Sequence, residues 1–132
     1  VFSPSIAGPI PVELGRLAVL AYLDLGANEL TGPIPSELGN LGALTTLLLA
    51  FNQLTGHIPP QLGDLGALEE LYLFNNKLDG EIPASLGQLV KLETLVLAGN
   101  KLSGEYSIPP ELGNLAALEG LYLQGNQLNG PF

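Results

Sequence analysis

Residues 68–78 read L-E-E-L-Y-L-F-N-N-K-L, and this stretch decides the fold. Leu71 and Leu73 alternate with Tyr72, which is the two-residue period of a strand that is buried on one face only. Asn76 and Leu78 follow at once, so the chain turns soon after the strand begins. A strand of this length cannot bury its leucines alone. The stretch therefore predicts a short strand that needs copies of itself on both sides.

Such copies recur every 24 residues along the chain. Each unit reads I-P-x-x-L-G-x-L-x-x-L-x-x-L-x-L-x-x-N-x-L-x-G-x, and Tyr106 and Ser107 displace the fifth copy by two residues. Periods in this range are typical of solenoids, in which stacking completes the core. We therefore expect a single solenoid domain over residues 1–132. Its units are a partial repeat 1–9 and repeats 10–33, 34–57, 58–81, 82–107 with the insertion, and 108–132.

The L-x-x-L-x-L-x-x-N-x-L core resembles the leucine-rich repeat, and the added L-x-G-x-I-P segment resembles its plant-type subclass. The resemblance covers nearly the whole chain. It implies an α/β solenoid shaped as a horseshoe, with a short-stranded parallel β-sheet on the concave face and 3-10 or irregular turns on the convex face. The near-identical units, such as residues 108–126, are also similar to the repeat arrays of algal ROCO-family proteins, which join them to a GTPase. A fragment of a receptor-kinase ectodomain is the other parentage implied.

The residues support this architecture independently. Parallel strands need crossovers, and the Ile-Pro segment supplies one, since proline suits the first position of a short helical turn. The glycine that follows each Ile-Pro-x-x-Leu segment is expected to allow tight turning or a backbone conformation that a side chain would oppose. The asparagine column is expected to satisfy backbone groups at the inner corner. Its members are Asn28, Asn52, Asn76, Asn100 and Asn126.

Composition excludes several classes of partner. The chain has thirteen acidic and four basic residues, which gives a formal charge of −9. This charge disfavours binding to nucleic acid and to anionic membranes. The chain has no cysteine, so disulfides and thiolate metal ligands are excluded. It also lacks an N-glycosylation acceptor, and its first residues do not resemble a signal peptide. These absences favour a cytoplasmic location, while an extracellular one stays open.

Catalytic groups are scarce. The single histidine, His57, occupies the variable position of Gly-x-Ile-Pro, where we expect it on the convex surface. No phosphate-binding or dinucleotide-binding glycine motif is present. We therefore expect no enzyme activity, no cofactor and no metal site.

The positions that the repeat leaves free predict a binding surface on the concave sheet. Aromatic side chains there are not needed by the core, and such residues are the usual anchors of protein interfaces. Simple cross-strand packing is the alternative explanation. The central column and its aromatic neighbours are Asp24, Leu48, Tyr72, Val96 and Tyr122, with Phe51 and Phe74.

A second free column is acidic: Glu69, Glu93 and Glu119 occupy the same place in successive repeats, with Glu70 alongside. Like charges on neighbouring strands cost stability, and a basic partner relieves that cost. Three interpretations stand: a solvated acidic face, the binding site of a basic peptide or protein, or a calcium site.

The sequence thus predicts a non-catalytic protein recognition module, the sensing segment of a larger signalling or defence-type protein. The alternative is a structural segment that self-associates end to end, because neither end shows a polar terminal repeat. Its contact residues are expected to be Val1, Phe2 and Ile6 at one end and Leu121, Leu123, Leu128 and Phe132 at the other. The Tyr106-Ser107 insertion is either a tolerated loop or a secondary contact site.

Overall fold

The computed structural model describes residues 5–104 and 108–129. Within these two ranges the chain forms ten short strands and five 3-10 helices. The strands are β1 Ala7–Pro9, β2 Tyr22–Asp24, β3 Glu29–Gly32, β4 Thr46–Leu48, β5 Gln53–His57, β6 Glu70–Tyr72, β7 Lys77–Gly80, β8 Thr94–Val96, β9 Lys101–Leu102 and β10 Gly120–Tyr122. The 3-10 helices are η1 Val12–Arg16, η2 Ser36–Asn40, η3 Pro60–Asp64, η4 Ala84–Gln88 and η5 Pro110–Asn114.

The even-numbered strands form the concave sheet, which is parallel and runs in the order β10-β8-β6-β4-β2. Its register follows the repeat, since Leu47 pairs with Leu71 and Leu71 with Leu95. These three leucines are fully buried, and the residues before and after each of them face outward. The sheet and the horseshoe architecture expected from the sequence are confirmed.

The odd-numbered strands form a second parallel sheet, which the sequence reasoning did not predict. In β3, Leu30 is buried between the exposed Glu29 and Thr31. One buried residue between two exposed ones is too short a pattern to predict a strand. Neighbouring residues in this sheet are 22 positions apart rather than 24, as in the pairing of Thr55 with Lys77. Side chains at the same place in two repeats therefore do not lie side by side on this sheet.

The 3-10 helices lie opposite the concave sheet and make the return crossovers, as expected. Each follows a proline at the N-cap, such as Pro35 with φ −65°, whose carbonyl accepts a hydrogen bond from the N–H of Leu38. The proline thus stands one residue before the helix rather than at its first position. Its fixed φ still prepares the turn. No helix in the described part of the chain is long and apolar enough to cross a membrane.

The glycine inside each of the helices η1 to η4 is required for a different reason from the one expected, whereas a Cβ at Gly113 in η5 would meet no atom within 4 Å. Gly39 does not adopt a left-handed backbone, but a Cβ at that position would lie 2.4 Å from the carbonyl oxygen of Gln61 in the next repeat. Gly63 approaches Ser85 in the same way, at 2.5 Å. The glycines therefore set how closely successive helices stack.

Asparagines line the inner corner, where each connects two repeats. The Oδ1 of Asn76 accepts a hydrogen bond of 3.1 Å from the N–H of Leu54 in the preceding repeat. Its Nδ2 donates to the carbonyls of Leu49, at 3.0 Å, and Leu73, at 3.1 Å. Asn52 and Asn100 make the same set of bonds and are equally buried. The corner thereby supplies partners to backbone groups that burial would otherwise leave unsatisfied.

Candidate partner-binding face

The concave sheet brings the central free column together in one row. Asp24, Leu48, Tyr72, Val96 and Tyr122 are register partners across the five strands. Leu48, Tyr72 and Val96 are half-buried, whereas Asp24 and Tyr122 at the two ends are exposed. The row is therefore a continuous strip of side chains on one face of the sheet.

Tyr72 of this strip contacts Phe74, which in turn contacts Phe51. The ring of Phe74 lies 6.0 Å from that of Tyr72 and 5.1 Å from that of Phe51, centroid to centroid. The Phe51 and Phe74 rings meet edge to face, at an interplanar angle of 77°. Edge-to-face contact is a favourable aromatic geometry. Phe51, Phe74 and Tyr72, which we name the aromatic cluster, thus form one apolar patch.

Phe51 occupies an unfavourable backbone position. Its φ is 59°, in the left-handed region, and its side chain is 54% exposed. Ala27, Asn75 and Gly99 stand at the same place in other repeats, with φ between 55° and 68°. For a residue with a Cβ, this backbone conformation costs about 1 to 2 kcal/mol of conformational free energy. The fold therefore has no need of a phenylalanine here.

A depression of about 710 Å³ lies above β8. Small residues of the fourth repeat form its floor: Val96, Ala98 and Gly99. Tyr72, on β6, and Tyr122, on β10, stand on either side. The depression exists because the fourth repeat carries smaller side chains than its two neighbours.

The acidic column borders this region at the amino ends of the strands. The N–H of Glu93 donates to the carbonyl of Glu69, and that of Glu119 donates to the carbonyl of Glu93, both at 2.7 Å. All three side chains are exposed, while Glu70 at the start of β6 is half-buried. The structure thus places the four glutamates on one edge of the concave face. Solvent screens their mutual repulsion.

Lysine and arginine are absent from this sheet. Arg16 lies in η1, Lys91 follows η4, and Lys77 and Lys101 belong to the second sheet. Across residues 5–104 and 108–129 the only contact between a basic and an acidic side chain within 4 Å joins His57 to Asp79. The carboxylates of the concave face therefore have no cationic side chain of this chain to neutralise them.

Asp24 stands apart from the other acids. It lies on β2, at the opposite end of the sheet from the depression, and its Oδ1 accepts a 2.9 Å hydrogen bond from the N–H of Gly26. This carboxylate shapes its own loop, so it does not extend the glutamate edge. Tyr22, on the same strand and 58% exposed, is an outward aromatic residue that was left out of the predicted contact set.

His57 lies at the end of β5 on the second sheet. Its Nδ1 is 3.2 Å from the Oδ1 of Asp79, and both side chains are largely exposed. In the parts of the chain that the structure covers, no three His, Cys, Asp or Glu side chains are arranged to hold a metal ion. The glutamates of the acidic column thus do not form such a group within the described residues.

Some predicted contact residues lie outside the described ranges: Tyr106 and Ser107 of the insertion, and Val1, Phe2 and Phe132 at the two ends. Ile6 and Leu121, which are described, are exposed, whereas Leu123 and Leu128 are half-buried against the core.

Two family models match the chain by sequence. One, described as Leucine Rich Repeat, matches residues 19–41 and 43–65. The other, described as Leucine Rich repeats (2 copies), matches residues 66–105. No curated protein is similar enough to count as a match.

Solved structures are similar over almost the whole chain. The ectodomain of the Arabidopsis thaliana receptor kinase GASSHO1/SCHENGEN3, in complex with CASPARIAN STRIP INTEGRITY FACTOR 2, is 46% identical with a TM-score of 0.91; the match covers 93% of this chain and 14% of that one. The Arabidopsis receptor kinase HAESA, with the peptide hormone IDA and the co-receptor SERK1, is 38% identical with a TM-score of 0.87, covering 94% and 21%. A plant ice-binding protein is 36% identical with a TM-score of 0.82, covering 94% and 39%.

The chain thus spans less than half the length of each of these three proteins. One scaffold serves receptors and an ice-binding protein, so a function has to be argued from the site.

Proposed function

Because this chain is a plant-type array that belongs to the leucine-rich repeat family, we propose that it is a non-catalytic recognition module which binds a protein or peptide on its concave face. The two receptor relatives described above were solved in complex with ligands, and this supports a peptide or protein partner. The recognised surface carries basic and apolar groups, and the module is the sensing segment of a longer signalling protein.

The aromatic cluster is the observation that carries the proposal. Its rings pack on one another at the surface, and Phe51 is held in a backbone conformation that disfavours it. The same conformation occurs at this place in every described repeat, so the backbone does not call for a phenylalanine there. Tyrosines and other large side chains at the centre of an interface also supply most of the binding free energy. Tyr72, Phe74 and Phe51 are thus the anchors, with Leu48, Val96 and Tyr122 continuing the apolar strip.

The glutamates supply the charge. Glu69, Glu70, Glu93 and Glu119 form an acidic edge without a neutralising residue, and such an edge accelerates the approach of a basic partner. Asp24 contributes at most a distant charge, since it binds its own loop.

The experiment is a pull-down from a lysate of the source organism, with captured proteins identified by mass. The wild-type chain is compared with a variant that carries Tyr72→Ala and Tyr122→Ala, and with Tyr22→Ala as a matched control on the same sheet. A partner retained by the wild type and by Tyr22→Ala but lost from the double variant supports the proposal. Equal capture by all three folded proteins contradicts it.

End-to-end self-association gains no specific support. Ile6 and Leu121 are exposed, but they lie on the outermost repeats described, where any repeat lacks a neighbour. A ROCO-type parentage likewise stays a hypothesis, because the similar structures described above are of other proteins. A sedimentation experiment at two concentrations tests the first idea, since self-association requires a mass that rises with concentration.

A further inference from the structure

The depression above β8, which we call the slot, lies between two tyrosine side chains. Tyr72 and Tyr122 lie on β6 and β10, with Val96 of β8 between them. Two strand spacings amount to about 9.6 Å. A cation bound above Val96 therefore lies between two aromatic side chains, and the face of an aromatic ring attracts a cation within about 6 Å of its centre.

The lack of a side chain at Gly120 leaves space for the ring of Tyr122, which lines the slot. The ring of Tyr122 leans over Gly120, where a Cβ would lie 3.0 Å from its Cε2 atom. Gly120 pairs with Thr94, and the same column carries Glu70 and Thr46 on the next strands. Glycine is not required for the backbone here, because φ of Gly120 is outside the left-handed region. Its contribution is space for the phenol ring.

The charge around the slot has one sign. Glu70 is the register partner of Thr94, which lines the slot, and Glu93 directly precedes Thr94 in the chain. Glu119 directly precedes Gly120, on the other side. All four basic residues of the protein lie off the concave sheet. The slot thus combines two aromatic side chains with nearby carboxylates that no lysine or arginine of this protein neutralises.

We propose that this slot binds an arginine side chain of the partner, with its guanidinium between Tyr72 and Tyr122 and its charge toward Glu70. Guanidinium is planar, stacks on aromatic faces and is more weakly hydrated than the ammonium of lysine, so it fits a flat, partly apolar slot better. Gly120 is a positioning residue, since it acts through the Tyr122 ring. The inference rests on the proposed function, because it names the partner group that the same face recognises.

The test is a titration of the isotope-labelled protein, followed by NMR, with the peptide acetyl-Gly-Arg-Gly-amide. Matched peptides contain citrulline, which is planar but uncharged, or lysine, which is charged but not planar. The arginine peptide is expected to shift the amide signals of Thr94, Val96 and Gly120 with an affinity at least about fivefold above either matched peptide. Affinities that are equal for arginine and citrulline overturn the inference, and so do affinities that are equal for arginine and lysine.

Variants locate the effect. Tyr72→Ala and Tyr122→Ala are expected to abolish the preference for arginine, whereas Tyr22→Ala retains it. Gly120→Thr introduces the residue that Thr46 and Thr94 already supply in this column, so the fold tolerates it, but it displaces the Tyr122 ring and lowers arginine affinity at least about fivefold. A Gly120→Thr protein with unchanged unfolding and unchanged affinity contradicts the positioning role.

The two proposals fail separately. If the double tyrosine variant loses its partner in the pull-down while the wild type shows no preference for the arginine peptide, the recognition function stands and the arginine slot is wrong. If all variants capture the same proteins, recognition by this face is wrong whatever the peptides do.

Discussion

At the inner corner of the molecule, Asn52, Asn76 and Asn100 make the same hydrogen bonds in each repeat, whereas above β8 the neighbouring repeats present different side chains. The corner is buried, and its backbone groups need one particular partner. The concave face is open to water, so the fold accepts many residues there. Columns that stay the same therefore report on stability, and columns that change report on recognition.

We expect the largest loss of stability from a substitution that disturbs the stacking of the helices. Gly39→Ala places a Cβ against the backbone of Gln61, and neither backbone can move without opening the stack. We expect the free energy of unfolding to fall by about 3 kcal/mol. Gly42→Ala is the matched control, because a Cβ there meets no atom within 4 Å. Equal urea midpoints for the two variants would show that close approach of the helices does not explain why glycine recurs at this position of the repeat.

The asparagine corner comes next. Asn76→Ala removes the acceptor of the Leu54 N–H and the donor to the carbonyls of Leu49 and Leu73. We expect a loss of about 2 kcal/mol, since buried backbone groups are left without partners. Asn40→Ala, at an exposed position in η2, should change stability by less than about 0.5 kcal/mol. A loss for Asn76→Ala as small as that for Asn40→Ala contradicts the role of the corner.

A change at Phe51 should separate the two kinds of column. Phe51→Asn installs the residue that the next repeat carries as Asn75 in the same left-handed conformation. The relief of strain offsets the lost contact with Phe74, so stability should change by less than about 0.5 kcal/mol. Affinity for the captured partner should fall by about 1 kcal/mol or more. Thermal unfolding and a binding isotherm on one preparation measure both, and a clear stability loss with unchanged affinity contradicts the prediction.

The smallest effect is expected on the second sheet. His57→Ala removes a contact with Asp79 between two side chains that are 76% and 54% exposed. Exposed pairs contribute little, so stability should change by less than about 0.5 kcal/mol and partner affinity not at all. Partner affinity that changes by more than about twofold would mean that the second sheet also contacts the partner.

The concave sheet and the solenoid could be predicted because buried positions repeat with the period of the chain. The second sheet was missed because β3, β5, β7 and β9 each bury only one leucine, such as Leu54, and β1 buries none. The sheet is held by main-chain pairing. Sequence spacing also indicated that the glutamates and the tyrosines share a face. Asn75, Gly99 and Gly125 in the column of Phe51 were a sign of the left-handed backbone, and the sequence reasoning missed it. The lean of the Tyr122 ring over Gly120 could not be predicted, because it depends on side-chain geometry.

The parallel sheets also determine how the molecule responds to force. Their inter-strand hydrogen bonds run along the stacking direction, and each repeat contacts only its neighbours. A pull between the two ends therefore puts the full force on every junction in the series, and the weakest junction opens first. A pull across the stack loads many junctions at once. Under tension the array is thus compliant along its axis and stiff across it.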